Sequence, residues 1–177
     1  MTPDALAPLF ALIRDVPDFP QPGILFRDIT PLLANPQGFA TVVEWMAKRA
    51  QAHGVTTLAA VEARGFVFGA VVAQRLGLPL QLIRKPGKLP WHTAGAEYDL
   101  EYGSDRLEMH ADAVGAGDRV AIVDDLLATG GTAAAAARLV CELKAKPACV
   151  LAAIELQDLG GREKLSGVPV ETLLVYR

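Results

Sequence analysis

One segment concentrates groups suited to a phosphorylated sugar. Residues 120–132 read Val-Ala-Ile-Val-Asp-Asp-Leu-Leu-Ala-Thr-Gly-Gly-Thr. An apolar run at 119–123 reads as a strand, and a helix is expected from Thr132 to Lys144. Between them lies a loop with two adjacent glycines. A helix N-terminus presents free N–H groups and the positive end of its dipole, so it favours phosphate. Gly130 and Gly131 let the backbone approach an anion, and Thr129 and Thr132 add hydroxyl donors. Asp124 and Asp125 repel phosphate, so their work must differ: carboxylates accept from hydroxyls or hold a hard cation. Diol acceptors beside a phosphate cradle describe a ribose 5-phosphate. The pattern is neither GxxxxGK[ST] nor GxGxxG, which sets aside the P-loop and dinucleotide folds.

The elements that must position these groups follow from periodicity. A first helix is expected near the N-terminus, with Leu6, Leu9, Phe10 and Ile13 at helical spacing. Residues 38–52 read as a helix, 57–61 as a buried strand, 65–76 as a helix ended by Gly77, and 80–83 as a strand. Residues 85–99 show no period and contain several Gly and Pro, as expected of a functional loop that is mobile over the site. Residues 100–102 and 107–110 flank Gly103-Ser104-Asp105 and suggest a hairpin. Strands are expected at 148–154 and 170–175. Alternating strands and helices imply an α/β fold: a mostly parallel twisted sheet flanked by helices on both faces. One domain over 1–177 is expected, with the Pro-rich residues 1–35 forming a small cap.

Composition excludes several classes. Net charge is −3 over 177 residues, with no block of like charge, which disfavours a nucleic-acid partner. No apolar run approaches the ~20 residues needed to span a bilayer, and the N-terminus lacks a basic leader pattern. A cytoplasmic protein is expected. Cys141 and Cys149 show no metal spacing and read as two buried free thiols. His53, His92 and His110 are scattered and take no catalytic role, and nothing is assigned to Trp91 or His92.

The run Val-Asp-Asp-Leu-Leu-Ala-Thr-Gly-Gly-Thr resembles the phosphoribosyl-diphosphate motif of the type I phosphoribosyltransferases. Four further segments, PDFPQPGILFRDITP at 17–31, EARGFVFG at 62–69, LIRKPGKLP at 82–90 and YDLEYG at 98–103, resemble the adenine-specific branch of that family, in the same order. The resemblance implies transfer from 5-phosphoribosyl 1-diphosphate to adenine, giving AMP and diphosphate, in a homodimer. It implies Mg²⁺ held mainly through substrate, with no dedicated protein ligand. Asp124 and Asp125 would serve the ribose hydroxyls, and Ala128, Thr129, Gly130, Gly131 and Thr132 the 5-phosphate. Arg64, Arg84, Lys85 and Lys88 are the cations on offer for diphosphate, where charge develops. Phe26 and Leu126 would sandwich the base, the backbone of Leu25 and Arg27 would read its edge, and Tyr102 would pack nearby. Glu101 is the expected general acid, with Arg64 beside it in the catalytic set. A cis peptide is expected between Glu62 and Ala63. Competing readings are a transferase for another purine, a nucleotide-sensing regulator that binds nucleic acid, and an interaction module with a vestigial loop. Residues 24–28 argue against the first, Arg64, Lys88 and Glu101 against the second, and the complete acid pair with its phosphate nest against the third.

Overall fold

A computed structural model describes residues 3–100 and 103–177. The chain forms two compact units, residues 1–44 and 45–177, each described by itself. In the smaller unit, α1 (Pro3–Phe10) is followed by β1 (Arg14–Pro17) and β2 (Leu25–Asp28), an antiparallel pair in which Val16 faces Phe26. Helix α2 (Thr30–Ala34) follows, and α3 (Pro36–Ala52) crosses the boundary between the units. The smaller unit thus runs beyond the cap expected at 1–35. Its Phe19 meets Phe26 edge to face, with centroids 5.1 Å apart.

The larger unit is built on a five-stranded parallel sheet in the order β4-β3-β7-β8-β9. The strands are β3 (Thr57–Val61), β4 (Leu80–Ile83), β7 (Arg119–Leu127), β8 (Lys146–Leu156) and β9 (Val170–Tyr176). Helix α4 (Gly65–Leu76) joins β3 to β4, and α5 (Gly131–Glu142) joins β7 to β8. These two crossovers run to opposite sides in the strand order. Parallel crossovers are right-handed, so α4 and α5 must cover opposite faces. β3 and the middle of β7 and β8 are buried throughout, which is why they read as unbroken apolar runs. The chain direction of the crossovers diverges between β3 and β7. That switch point is where such sheets open a crevice at their carboxyl ends.

Two expectations need correction here. Residues 93–99 are not loop: β5 (Thr93–Leu100) pairs with β6 (Gly103–His110) in an antiparallel hairpin along its whole length. The irregular stretch shrinks to the residues before Thr93. The length of the hairpin's first strand is hidden in the sequence because β5 carries small residues where a period-2 pattern would show apolar ones. At Gly95 the guanidinium of Arg106 lies where a side chain would start. Cys141 is exposed and only Cys149 is buried; both are free thiols. Cys141 falls in the last turn of α5, on the side away from the buried Leu139 and Val140. The Glu62–Ala63 peptide is cis, as is Phe19–Pro20. Among the described residues, no helix is long and apolar enough to cross a membrane.

Candidate active site

The site forms where β3 and β7 part. The two strands pair as far as Ala60 and Val123. β7 then continues, paired with β8 alone through Leu127. The strand therefore does not end at Val123 as expected: Asp124 and Asp125 lie within it, on the stretch that has lost its β3 neighbour. Their backbone stays fixed by β8, while the opening left by β3 receives the side chains. Residues 61–64, Lys85, Leu107 and residues 124–133 line one cleft of about 490 Å³ there.

The loop between β7 and α5 turns on its glycines. Gly130 has φ +77° and N-caps α5, and no side chain caps that helix end. Its carbonyl accepts the first helical bond, from Ala134 N–H at 2.9 Å. The N–H groups of the first turn have no intrahelical partner and face an anion-sized space. Ala133, Ala134, Ala135, Ala136 and Ala137 are all buried, so α5 seats closely on its surroundings and aims that end firmly.

Across the cleft, Arg64 leaves β3 and meets Asp125: Nε lies 2.9 Å from Oδ2. Gly65 is the reason the two strand ends can come so near. A Cβ there would lie 2.6 Å from the Val123 carbonyl oxygen. The Asp125 N–H donates to Asp124 Oδ1 at 2.8 Å. Burial, and then the neighbouring Asp125 charge, push the Asp124 carboxyl well above its ordinary range. Burial also pushes Asp125 up, opposed chiefly by Arg64. Asp124 thus holds its proton more readily than an ordinary carboxyl.

Among the expected diphosphate cations, Arg64 and Lys85 line the cleft. Arg84 and Lys88 are not among its lining residues. The Arg84 Nε donates to Glu62 Oε2 at 2.7 Å, and Nη1 donates to the Lys88 carbonyl at 3.0 Å. Glu62 also accepts from Lys85 N–H at 3.0 Å. Burial raises the Glu62 carboxyl, but Arg84, the Lys85 N–H and the Lys88 charge outweigh it and hold it below its ordinary range. Arg84 therefore braces the 84–88 turn in this structure. Sequence reasoning missed Glu62 as the organiser of this turn, because an acid beside a diphosphate site reads as repulsive.

Leu126 lines the cleft. Leu25, Phe26 and Arg27 lie on β2 in the smaller unit, where Arg27 pairs with Asp15. Glu101 and Tyr102 lie outside the described residues. A further group was not foreseen: Glu155, Arg162 and Thr172, packed behind the phosphate loop. No local spacing announces it, since its members come from β8, a 3₁₀ turn and β9.

A phosphoribosyl transferase domain model matches residues 28–173. The adenine phosphoribosyltransferase of Thermosynechococcus vestitus is 53% identical over 168 residues, covering 95% of this chain and 99% of that protein. That of Methylococcus capsulatus is also 53% identical, covering 95% and 98%. The crystal structure of the Thermoanaerobacter pseudethanolicus adenine phosphoribosyltransferase superposes with a TM-score of 0.94 at 48% identity, covering 97% and 99%. The Saccharomyces cerevisiae enzyme, complexed with an imino-altritol bisphosphate and adenine, does so at 0.91 and 39%, covering 98% and 100%. Fold and site define a phosphoribosyl-transferring α/β enzyme. At this identity over nearly the full length, the chain belongs to the adenine phosphoribosyltransferases.

Proposed function

We propose that the chain transfers the 5-phosphoribosyl group of 5-phosphoribosyl 1-diphosphate to adenine, giving AMP and diphosphate, with Mg²⁺ as cofactor. The loop N–H groups at 128–132 and the hydroxyls of Thr129 and Thr132 hold the 5-phosphate at the start of α5. Asp124 and Asp125 accept from the two ribose hydroxyls. Arg64 exchanges Asp125 for the diphosphate, joined by Lys85, and stabilises the charge that grows as the C1–O bond breaks. Leu126 offers an aliphatic face to the base, and Leu25, Phe26 and Arg27 keep the base-reading role that the resemblance implies. Glu101 handles the purine proton at N7: as N9 attacks C1 its carboxylate accepts the ring proton that adenine must lose, and as a general acid it returns that proton in the reverse reaction, with Tyr102 beside it. Lys88 acts on the diphosphate at longer range through its charge.

Among the described residues, no three His, Cys, Asp or Glu side chains gather to hold a metal. A magnesium ion held mainly through substrate oxygens and water needs no dedicated protein ligand, and leaves Asp124 and Asp125 to the ribose hydroxyls. When bound, Mg²⁺ neutralises diphosphate charge. We also expect a homodimer in the cytoplasm. Exposed Val67 and Val71, one turn apart on α4, are apolar surface that a second copy would cover, and both cysteines are free thiols.

The observation that carries the reading is one cleft joining an uncapped helix N-terminus, a carboxylate pair and Arg64. The test is an assay with each purine base, phosphoribosyl diphosphate and Mg²⁺. Adenine turns over, and hypoxanthine and guanine fall behind by roughly two orders of magnitude in kcat/KM, since a site matched to one hydrogen-bond pattern leaves its groups unpaired with another. Comparable kcat/KM for guanine would exclude the adenine assignment.

A further inference from the structure

The phosphate loop is not self-supporting. A Cβ on Gly130 would lie 2.2 Å from the carbonyl oxygen of Gly161, and a Cβ on Gly161 would lie 2.2 Å from the carbonyl oxygen of Ala128. Two glycines thus let the loop backbone rest directly on the backbone of a second segment. That segment is the 3₁₀ turn Gly161–Leu165, which follows β8 and a first short turn, Gln157–Leu159. A turn this short has poor internal hydrogen bonding and needs outside anchors. Leu165 supplies an apolar one, buried in the core that includes α5.

The other anchor is Arg162, the residue beside Gly161. Its Nε and Nη2 donate to the two carboxylate oxygens of Glu155, both at 2.7 Å. Nη2 also donates to Thr172 Oγ1 at 2.8 Å, and Nη1 to the Val170 carbonyl at 2.8 Å. Thr172 Oγ1 in turn donates to Glu155 Oε2 at 2.5 Å. A planar guanidinium on a two-pronged carboxylate fixes orientation as well as distance. Glu155 is buried, 3% exposed, near the end of β8. In the strand register it stands beside Leu127, the last residue before the loop. The cluster therefore ties three things together: the strand end that launches the loop, the turn that backs it, and β9.

We propose that Glu155, Arg162 and Thr172 are positioning residues that hold Gly161 against Ala128 and Gly130 and so set the affinity for the phosphorylated sugar without touching it. The inference rests on residues 128–132 being the 5-phosphate cradle. A cradle of N–H groups binds an anion tightly only when their directions are fixed in advance, and a shift of an ångström is enough to lose that.

The probe is ribose 5-phosphate, titrated calorimetrically into the full chain and its variants, alongside KM and kcat. Glu155→Gln and Arg162→Leu weaken ribose 5-phosphate binding and raise KM for phosphoribosyl diphosphate by about tenfold, leaving kcat and the adenine KM within about twofold. Arg162→Lys restores part of the loss. Amide hydrogen exchange at 128–132 quickens in these variants, while the amides of β3 stay protected. Thr132→Val removes a cradle hydroxyl and reports on the cradle itself. If Thr132→Val binds ribose 5-phosphate as the parent does, the cradle reading falls and this inference with it. If Thr132→Val weakens binding but the cluster variants do not, the positioning inference alone is overturned. Losses in kcat and both KM values that track a lower Tm would mark general support of the fold and also overturn it. Should Glu155→Gln fail to fold, Thr172→Val and Gly161→Ala carry the test. Both should weaken ribose 5-phosphate binding, and parental affinity in both would overturn the proposal.

Discussion

At the scale of single residues, the Asp124–Asp125 pair states the site's problem most sharply. Two carboxylates face a cleft proposed to take a polyanion, and one of them is drawn toward protonation by burial and by its neighbour. Arg64 holds the other in place at 2.9 Å while no substrate competes. Substrate hydroxyls, donating to the pair, would replace that support. Asp124→Asn removes one acceptor and its charge but keeps the shape. It is expected to raise KM for phosphoribosyl diphosphate by about tenfold or more, the scale of a lost hydrogen bond to a charged group, with a smaller change in the adenine KM. Steady-state kinetics with each substrate varied in turn checks this, and an equal effect on both substrates would contradict it. Glu101→Gln is expected to lower kcat by about 10²-fold with Tm unchanged, as for a lost general acid–base group. Near-parental kcat, with a pre-steady-state burst ruled out, would remove Glu101 from that role.

At the scale of elements, the reason these residues meet is the divergence of two crossovers between β3 and β7. That much was legible in the sequence: buried strands, amphipathic helices and a glycine-marked helix start give the order of elements and put the cleft at the strand ends. What was not legible depends on contacts between distant elements. β7 was read as ending at Val123, because the sequence does not show that β8 alone carries the strand on to Leu127. β5 was read as loop because small residues such as Gly95 hide its alternation, and Arg106 from the opposite strand fills the space. That Glu62 holds Arg84 was not legible, because the two lie 22 residues apart in the chain. The same pairing yields a prediction. Glu62 holds both Arg84 and the Lys85 N–H, so it sets where Lys85 stands in the cleft. Arg84 is partly exposed, which discounts the pair to roughly 1 kcal/mol. Glu62→Gln is therefore expected to weaken product inhibition by diphosphate about three- to tenfold, at 1.4 kcal/mol per decade, with kcat within about twofold. An unchanged inhibition constant would show that the turn holds its shape without Glu62.

At the scale of the whole molecule, two carboxyls, Glu155 and Asp124, pull stability in opposite directions with pH. Glu155 is held below its ordinary range, first by the bond from Arg162. A depressed carboxyl contributes stability that is full above its unfolded value, about 4.3, and is lost as pH falls through the folded value. Asp124 is raised, first by burial and then by Asp125. For a raised carboxyl the sign reverses: the folded state binds the proton more tightly, so stability falls as pH rises from the unfolded value, about 3.9, through the folded one. The substrate-free protein is thus squeezed between acid loss at Glu155 and loss at Asp124 on the way to neutrality. Asp124→Asn abolishes the second effect. Its Tm without ligand is expected to exceed the parent's, with the gap small near pH 4 and growing as pH rises through the raised folded-state value of Asp124. Each kcal/mol recovered raises Tm by roughly 2–4 °C in a chain of this length. Comparing parent and variant at each pH cancels the other titrating groups. Saturating ribose 5-phosphate should narrow the gap, because binding at 100 times Kd adds ~2.7 kcal/mol to the parent and less to a variant that binds weakly. Thermal unfolding of both proteins from pH 4 to 8, with and without ribose 5-phosphate, decides the matter: a gap that shrinks with rising pH would mean that Asp124 is already ionised and stabilising in the empty site.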